Sequence, residues 1–581
     1  MSFLAELRAG RFRWDLIHPF PQQDPADRTL GAAAAAELLD LLTGVVDPDE
    51  LDRTRRLPPD LIPALRAKGY LAMTVPQADG GLGLSPFNTF RLLETASTWS
   101  ASVGMLLSWQ NTLGIGAYLE MIPPGPLRDL VVARVADGAV LGFADSEPGG
   151  AANATRSTVA VPTEGGYLLT GEKLFTGNAS VADLLTVSAT VWMPDGGERI
   201  DMFLVDTTRD GFTVIGVHDL VGLNGSPLAA VRLDRVFVPA EHVIVPSGHG
   251  FRASPLVARL TAIARMFITV TPPLAAARSC LAWSREFLGR RRVNGRPLAG
   301  YDSIQRRLAA SLADVFAIDS VVRWCLLGHH AAMLPGGTPV PERLPELTSA
   351  KNIGTVTAWR VIERTMSLLG GEGAETAPSK ARRGASPLPV EQAWRDARSL
   401  RIAGGVDFNI DMRSAWSGIF SPIYDGQVDP ARPTAGCPST GRGAATPSTG
   451  RGAADSGTAK LSAANRRNLQ FVRSQTAVLR SRCLELAGGS PADQLAERQE
   501  VLITINRLAD ELFTMSVVLA RAASLADRQA QDLAAVFCAG ARTRIRSLWS
   551  ALDAVDEVDH ATPCRAWLNG DLAGLLVDVE H

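Results

Sequence analysis

A chain of 581 residues, 46% hydrophobic and 20% charged, has the length for several domains and the balance of a soluble globular protein. Its net charge of -2 leaves no basic excess to neutralise phosphates, which excludes nucleic acid as an expected partner. Six cysteines without a close Cys-x-x-Cys pair argue against a zinc site or a dense disulfide framework and for reduced, mostly buried thiols.

The first twenty residues lack the continuous apolar core of a signal peptide, and no apolar run reaches the ~18 residues that suggest a membrane span, so a cytoplasmic protein is expected. Residues 1–140 are read as an N-terminal helical domain: Gly31 to Leu42, Asp60 to Lys68 and Phe90 to Leu119 carry apolar residues at helical spacing. Across 141–250 the pattern changes to short β-branched alternating runs bounded by Gly, Asn, Asp and Pro, the mark of a β-sandwich or barrel. Helical spacing returns over 251–428, where Pro272-Pro273 predicts a kink or break in the helix around them and residues 374–389 read as a solvated loop. Residues 429–460 hold PSTGRGAA twice, at Pro438 and Pro447, and read as a flexible linker. Strong helical periodicity over 461–581 predicts an additional helical domain of two to four helices. The fold class expected is therefore α+β, helices then a small β domain then helices.

Specific strings fall on this frame. They are GFADSEPGGAAN from Gly142, GEKLFTGNASVAD from Gly171, LDRVFVPAEHVI from Leu233, RRVNGRPLAGYDSIQRRLA from Arg291, SAKNIGTVTAWRVIERTMSLLGGEG from Ser349 and VEQAWRDARSLRIAGG from Val390. In this order they resemble the motifs of the acyl-CoA dehydrogenase superfamily, most like its long very-long-chain type with a C-terminal helical extension. The resemblance implies a C-terminal four-helix bundle, an FAD cofactor lying between β domain and bundle, and an oligomer, usually a dimer or tetramer. It implies an acyl thioester as substrate, on coenzyme A or an acyl carrier protein, with a base removing the alpha proton and the flavin taking a hydride from the beta carbon.

Carried over by position, the resemblance assigns cofactor contacts to Ser146, Phe175, Gly177, Arg291, Ser367, Gly370, Gly371 and Val406, and substrate contacts to Ala152, Ala403 and Gly404. Phe175 keeps an aromatic face for the isoalloxazine. Arg291 suits a pyrophosphate. Gly177 stands where a Thr is usual, so that contact is lost, and Ser367 stands where a Gln is usual, so that contact is weakened. The catalytic glutamate is missing from both places where the family puts it: Gly404 occupies one and Ala258 the other. Asp407 is the nearest acidic residue, either a substitute base or a capping aspartate, and Glu372 reads as a turn residue. His218, His242 and His249 have no metal-ligand spacing, so no metal is expected.

Three functions follow: an FAD-dependent dehydrogenase-like oxidoreductase with a base from elsewhere, a flavin monooxygenase or oxidase on the same fold, and a non-catalytic subunit of a hetero-oligomer. Membrane association stays open, since the linker shows no amphipathic helix.

Overall fold

The computed structural model describes residues 2–150, 155–192, 196–245, 255–327, 344–427 and 457–576, with side chains from 263 onward in the helix that starts at Pro255. Ala152, His249 and nearly all of the repeat-bearing segment lie outside the described residues.

The N-terminal helices begin where short polar side chains satisfy their first N–H groups. Asp24 caps Pro25–Val45, Ser85 caps Pro86–Trp99, and Ser100 caps Ala101–Thr112, with Pro opening the first two. Every residue of Ala101–Thr112 after the first is buried, so this helix is packed on all sides. It lies between the β domain and the long helices that follow.

The β domain is one eight-stranded mixed sheet in the order β6 (Phe212–Val217), β7 (Ala229–Pro239), β3 (Gly166–Thr176), β2 (Val159–Thr163), β4 (Leu184–Trp192), β5 (Glu198–Asp206) and β8 (Val243–Val245), with β1 (Leu141–Ala144) parallel to β4. The period-2 pattern sorts its side chains between two cores. On β5 (Glu198–Asp206), Ile200, Met202 and Leu204 pack with Ile115, Tyr118 and Leu119, while Phe203 and Val205 join Leu185, Val187 and Val231 inside the domain.

The second helical region is built on Pro255–Arg290, Asp302–Leu327 and Leu344–Leu369, with Val390–Leu400 and Asp407–Ala415 following. Two expectations are corrected here. Pro255–Arg290 is a single helix that contains both Pro272 and Pro273, so the prolines do not split it. The segment 374–389 is not all loop: Ala377–Arg382 is a helix, capped by Thr376, and buried Lys380 donates to the carbonyl oxygens of Glu372 (2.8 Å) and Leu388. Those two bonds replace the solvation that a loop would otherwise need.

The C-terminal helices Ala463–Gly489, Gln499–Leu525 and Arg528–Asp553 do not form a separate body. Leu508, Leu512, Phe513 and Val517 share one core with Phe3, Leu4, Trp324 and Ile353, so the extension, the bundle and the first residues of the chain bury one another. Polar groups join them as well. Asp411 accepts from Asn352 Nδ2 (2.7 Å), Asn506 Nδ2 (3.0 Å) and Arg507 Nε (2.9 Å), which fastens the Asp407–Ala415 helix to the extension. Among the described residues no single helix is long and apolar enough to cross a membrane.

Candidate functional site

On the β-domain side the loop after β1 is held by a buried carboxylate. Glu147 accepts from Ser157 N–H (2.6 Å), Ser157 Oγ (2.7 Å), Thr158 N–H (2.9 Å) and Lys173 Nζ (2.8 Å). The donors, Lys173 foremost, outweigh burial and hold its pKa down at about 2. Ser146 is set in place next to it, its carbonyl oxygen accepting from Leu174 N–H at 2.9 Å. One residue on, Phe175 breaks the strand's ordinary geometry with φ +50° and stands 55% exposed. His218 backs it twice: the rings stack at 4.6 Å, and Phe175 N–H donates to His218 Nε2 at 3.1 Å. Burial keeps this imidazole below its usual pKa, hence neutral and able to accept. A large aromatic held outward on left-handed backbone costs on the order of 1–3 kcal/mol, the kind of strain that clusters at ligand sites.

Trp109 explains Gly177. A Cβ on Gly177 would meet the indole ring at 2.7–2.9 Å, so a threonine does not fit there unless the tryptophan moves. The same indole packs with Met105, Leu223, Leu228, Ala264, Ile268 and Leu400 and with the partly buried Ala403. Trp109 therefore joins the β strand that carries Phe175 to the turn that carries Gly404. Asp396 strengthens the joint, accepting from Leu223 N–H at 2.5 Å; burial raises its pKa to about 7.

Gly404 is left-handed (φ +68°) and its missing Cβ would sit 3.2 Å from Arg265 Cγ and 3.6 Å from Thr269 Cγ2. Arg265 Nε donates to the Gly404 carbonyl oxygen at 2.8 Å. Beneath the turn, fully buried Lys351 donates to the carbonyl oxygens of Arg401 (2.9 Å) and Gly405 (2.8 Å), and burial brings its pKa down to about 8. Ala258 lies seven residues before Arg265, about 10 Å along the helix axis, so the residues of this helix that face Gly404 are Arg265 and Thr269.

Asp407 is committed to an ion pair and is not a free base. Arg401 grips its Oδ2 through Nε (3.0 Å) and Nη2 (2.5 Å), Phe408 N–H donates to Oδ1, and its pKa is held below the usual range. It acts as a strap across the turn, with Val406 just before it at the helix start. Glu372 is likewise spent on an ion pair with Arg290 at 2.5 Å.

Arg291, Ser367, Gly370 and Gly371 gather at the far end of the bundle, where Phe287, Leu288, Leu368 and Leu369 share a small core. All four are exposed, Gly370 has φ +59°, and nothing lies within 4 Å of the Cβ positions of Gly370 or Gly371. Arg265 and Arg291 are twenty-six residues apart, and a helical rise carried over that length is about 39 Å.

The order of these features matches known domain families: the acyl-CoA dehydrogenase N-terminal domain over residues 34–122, its middle domain over 142–236 and its C-terminal domain over 256–410. The chain belongs to the acyl-CoA dehydrogenase family. It is 29% identical over 580 residues to the Mycobacterium tuberculosis protein named "Probable acyl-CoA dehydrogenase FadE10", covering 96% of this chain and 87% of that one. It is 25% identical over 416 residues to the human very long-chain specific acyl-CoA dehydrogenase, 70% of this chain and 60% of the relative. The fold is shared with an acyl-CoA dehydrogenase from Bacillus anthracis solved in complex with FAD: TM-score 0.75, 19% identity, covering 97% of this chain and 94% of the other.

The residues present fit the cofactor of an acyl-CoA dehydrogenase. Phe175 offers an exposed ring, the glycine turn is open for backbone approach, and Arg291 has no ion-pair partner among the described residues. Four residues escaped sequence reasoning: Trp109, His218, Arg265 and Lys351. The helix of Trp109 carries a faint signal, apolar on all faces and therefore buried between layers. The other three act through contacts across 43 to 139 positions of chain, for which local pattern has no sign.

Proposed function

We propose that the protein is an FAD-dependent oxidoreductase acting on an acyl thioester, carried by coenzyme A or an acyl carrier protein, without the family's glutamate. The observation that carries this reading is Phe175, turned outward on strained backbone and braced by His218, next to the loop that holds Ser146. FAD, when bound, supplies the hydride acceptor. The chain's own residues give it a π face at Phe175, a hydroxyl at Ser146 and a charge for its phosphates at Arg291. Trp109 and the cluster around it keep water from the flank of the Gly404 turn, while Arg265 and Lys351 hold that turn's carbonyl oxygens still. Asp407 is committed to Arg401, so a proton leaving the alpha carbon goes to a group other than the residues at the two family positions.

Trp109 ties the strand of Phe175 to the Gly404 turn at Arg265, and a helical rise from Arg265 to Arg291 is about 39 Å, so the contacts at Arg291 and Gly370-Gly371 lie far along the helix from those at the β domain. This supports a homodimer or tetramer in which Arg291 and the Gly370-Gly371 turn reach the cofactor of a neighbouring copy. The test is the visible spectrum of the purified protein, alone and with acyl thioester under anaerobic conditions. A flavin spectrum bleached by the thioester is expected. Bleaching only by NAD(P)H would favour a flavin monooxygenase, and a colourless protein that gains no flavin on reconstitution would overturn the reading in favour of a non-catalytic subunit.

A further inference from the structure

We propose that Arg265 and the vacated Gly404 position form an anion subsite, and that the preferred ligand is an acyl thioester bearing a carboxylate on its alpha or beta carbon. The inference rests on the reading above, that an acyl thioester reaches this turn.

The argument is one of charge left over. Arginines elsewhere in the interior are matched: Arg156 with Asp145, Arg278 with Glu94 and Asp319, Arg364 with Asp314, Arg395 with Asp52 and Glu391, Arg544 with Glu511. Arg265 has no carboxylate partner among the described residues. Its Nε is spent on the Gly404 carbonyl oxygen, which anchors the guanidinium at the turn and leaves its remaining N–H groups without a hydrogen-bond partner among the described residues.

The neighbours deepen the imbalance. The charge that acts on it from the Asp407–Ala415 helix is another cation, Arg413, and buried Lys351 lies under the same turn. The two nearby acids are occupied, Asp407 by Arg401 and Asp411 by Asn352, Asn506 and Arg507. Burial accordingly depresses the pKa of Arg265, a cation held where it is poorly compensated.

Gly404 cannot supply the missing charge, and its φ of +68° disfavours any side chain that would. Trp109, Ile268 and Ala403 make the adjoining wall apolar, where an ionic contact gains strength. The counter-charge then has to arrive with the ligand. In the family this position faces the alpha proton of the substrate, so a carboxylate on the alpha or beta carbon comes within reach of Arg265, whereas one at the end of a long chain does not.

Two ligand pairs that differ only in carboxylate against methyl test this by isothermal titration calorimetry on the flavin-loaded protein: methylmalonyl-CoA against isobutyryl-CoA, and succinyl-CoA against butyryl-CoA. The carboxylated member of at least one pair is expected to bind ~10-fold tighter or better, the size of one charge-assisted hydrogen bond. Arg265→Gln should bring that ratio to about one, and Arg265→Lys should keep part of it, which controls for folding. A ratio of one or less in both pairs for the native protein, or a ratio that survives Arg265→Gln, overturns the subsite while leaving the acyl thioester reading intact. Failure of all four thioesters to bind overturns both.

Discussion

The loop at Glu147 closes a buried carboxylate on a lysine, whereas at the Gly404 turn the nearby carboxylate of Asp407 is bound to Arg401, and each region has a lysine with no exposure. At Glu147 the lysine is Lys173, and the carboxylate collects four donors from three residues. At Gly404 the lysine is Lys351, which donates to carbonyl oxygens and feels Asp407 and Asp411 without a hydrogen bond to either, while Arg265 has no carboxylate partner among the described residues. The first is a closed charge cluster whose work is structural. The second is an open one, and an open cationic cluster beside an apolar wall is a place for a ligand. Of the two sites, the one that keeps the family's charged residues holds the scaffold, and the one that lost them carries the question of chemistry.

Breaking the closed cluster should have the largest effect. Lys173→Met leaves Glu147 ionised and buried without its partner, and a loss of about 3–5 kcal/mol in urea denaturation is expected. The corresponding Lys351→Met, which orphans carbonyl oxygens but no carboxylate, should cost less, about 1–3 kcal/mol.

The join between the regions is tested next. Gly177→Thr should destabilise by about 1–3 kcal/mol and shift Trp109 fluorescence, and adding Trp109→Leu should recover part of the loss if the overlap with the indole is the cause.

The closed cluster also predicts a pH dependence. The folded pKa of Glu147, about 2, lies below its ordinary 4.5, so its contribution is fully present above pH 4.5 and is lost as the pH falls toward 2. Urea midpoints measured across that window should fall less steeply in Glu147→Gln than in the native protein.

The smallest effect concerns the strained ring. Phe175→Asn, a residue that tolerates left-handed backbone, should stabilise flavin-free protein by on the order of 1 kcal/mol, read as a slightly higher melting temperature, and lower the flavin retained on purification. Equal flavin content in native and variant protein would remove Phe175 from the cofactor site.

Much of this was legible in the chain. Alternation on β5, proline and serine at the helix starts, and the irregularities at Pro272-Pro273 and 374–389 are all visible in the chain, and at the last two the structure departs from the local pattern for one reason. Whether Pro interrupts a helix, or a polar stretch stays a loop, depends on whether tertiary partners satisfy the backbone, and Lys380 does so from within the stretch itself. The extension was visible as helices but not as part of the common core, because the faces of Gln499–Leu525 meet residues as distant as Phe3 and Trp324.

The sequence by itself determined the family, the order of the three domain types and the vacancy at Gly404, because those are properties of residue identity at fixed spacing. Only the tertiary structure decided what surrounds the vacancy: that Asp407 is bound to Arg401, that Trp109 fills the space beside Gly177, and that Arg265 stands at the turn with no carboxylate partner among the described residues. Charge balance and packing are set by neighbours in space, and the neighbours here lie from 6 to 139 positions apart along the chain.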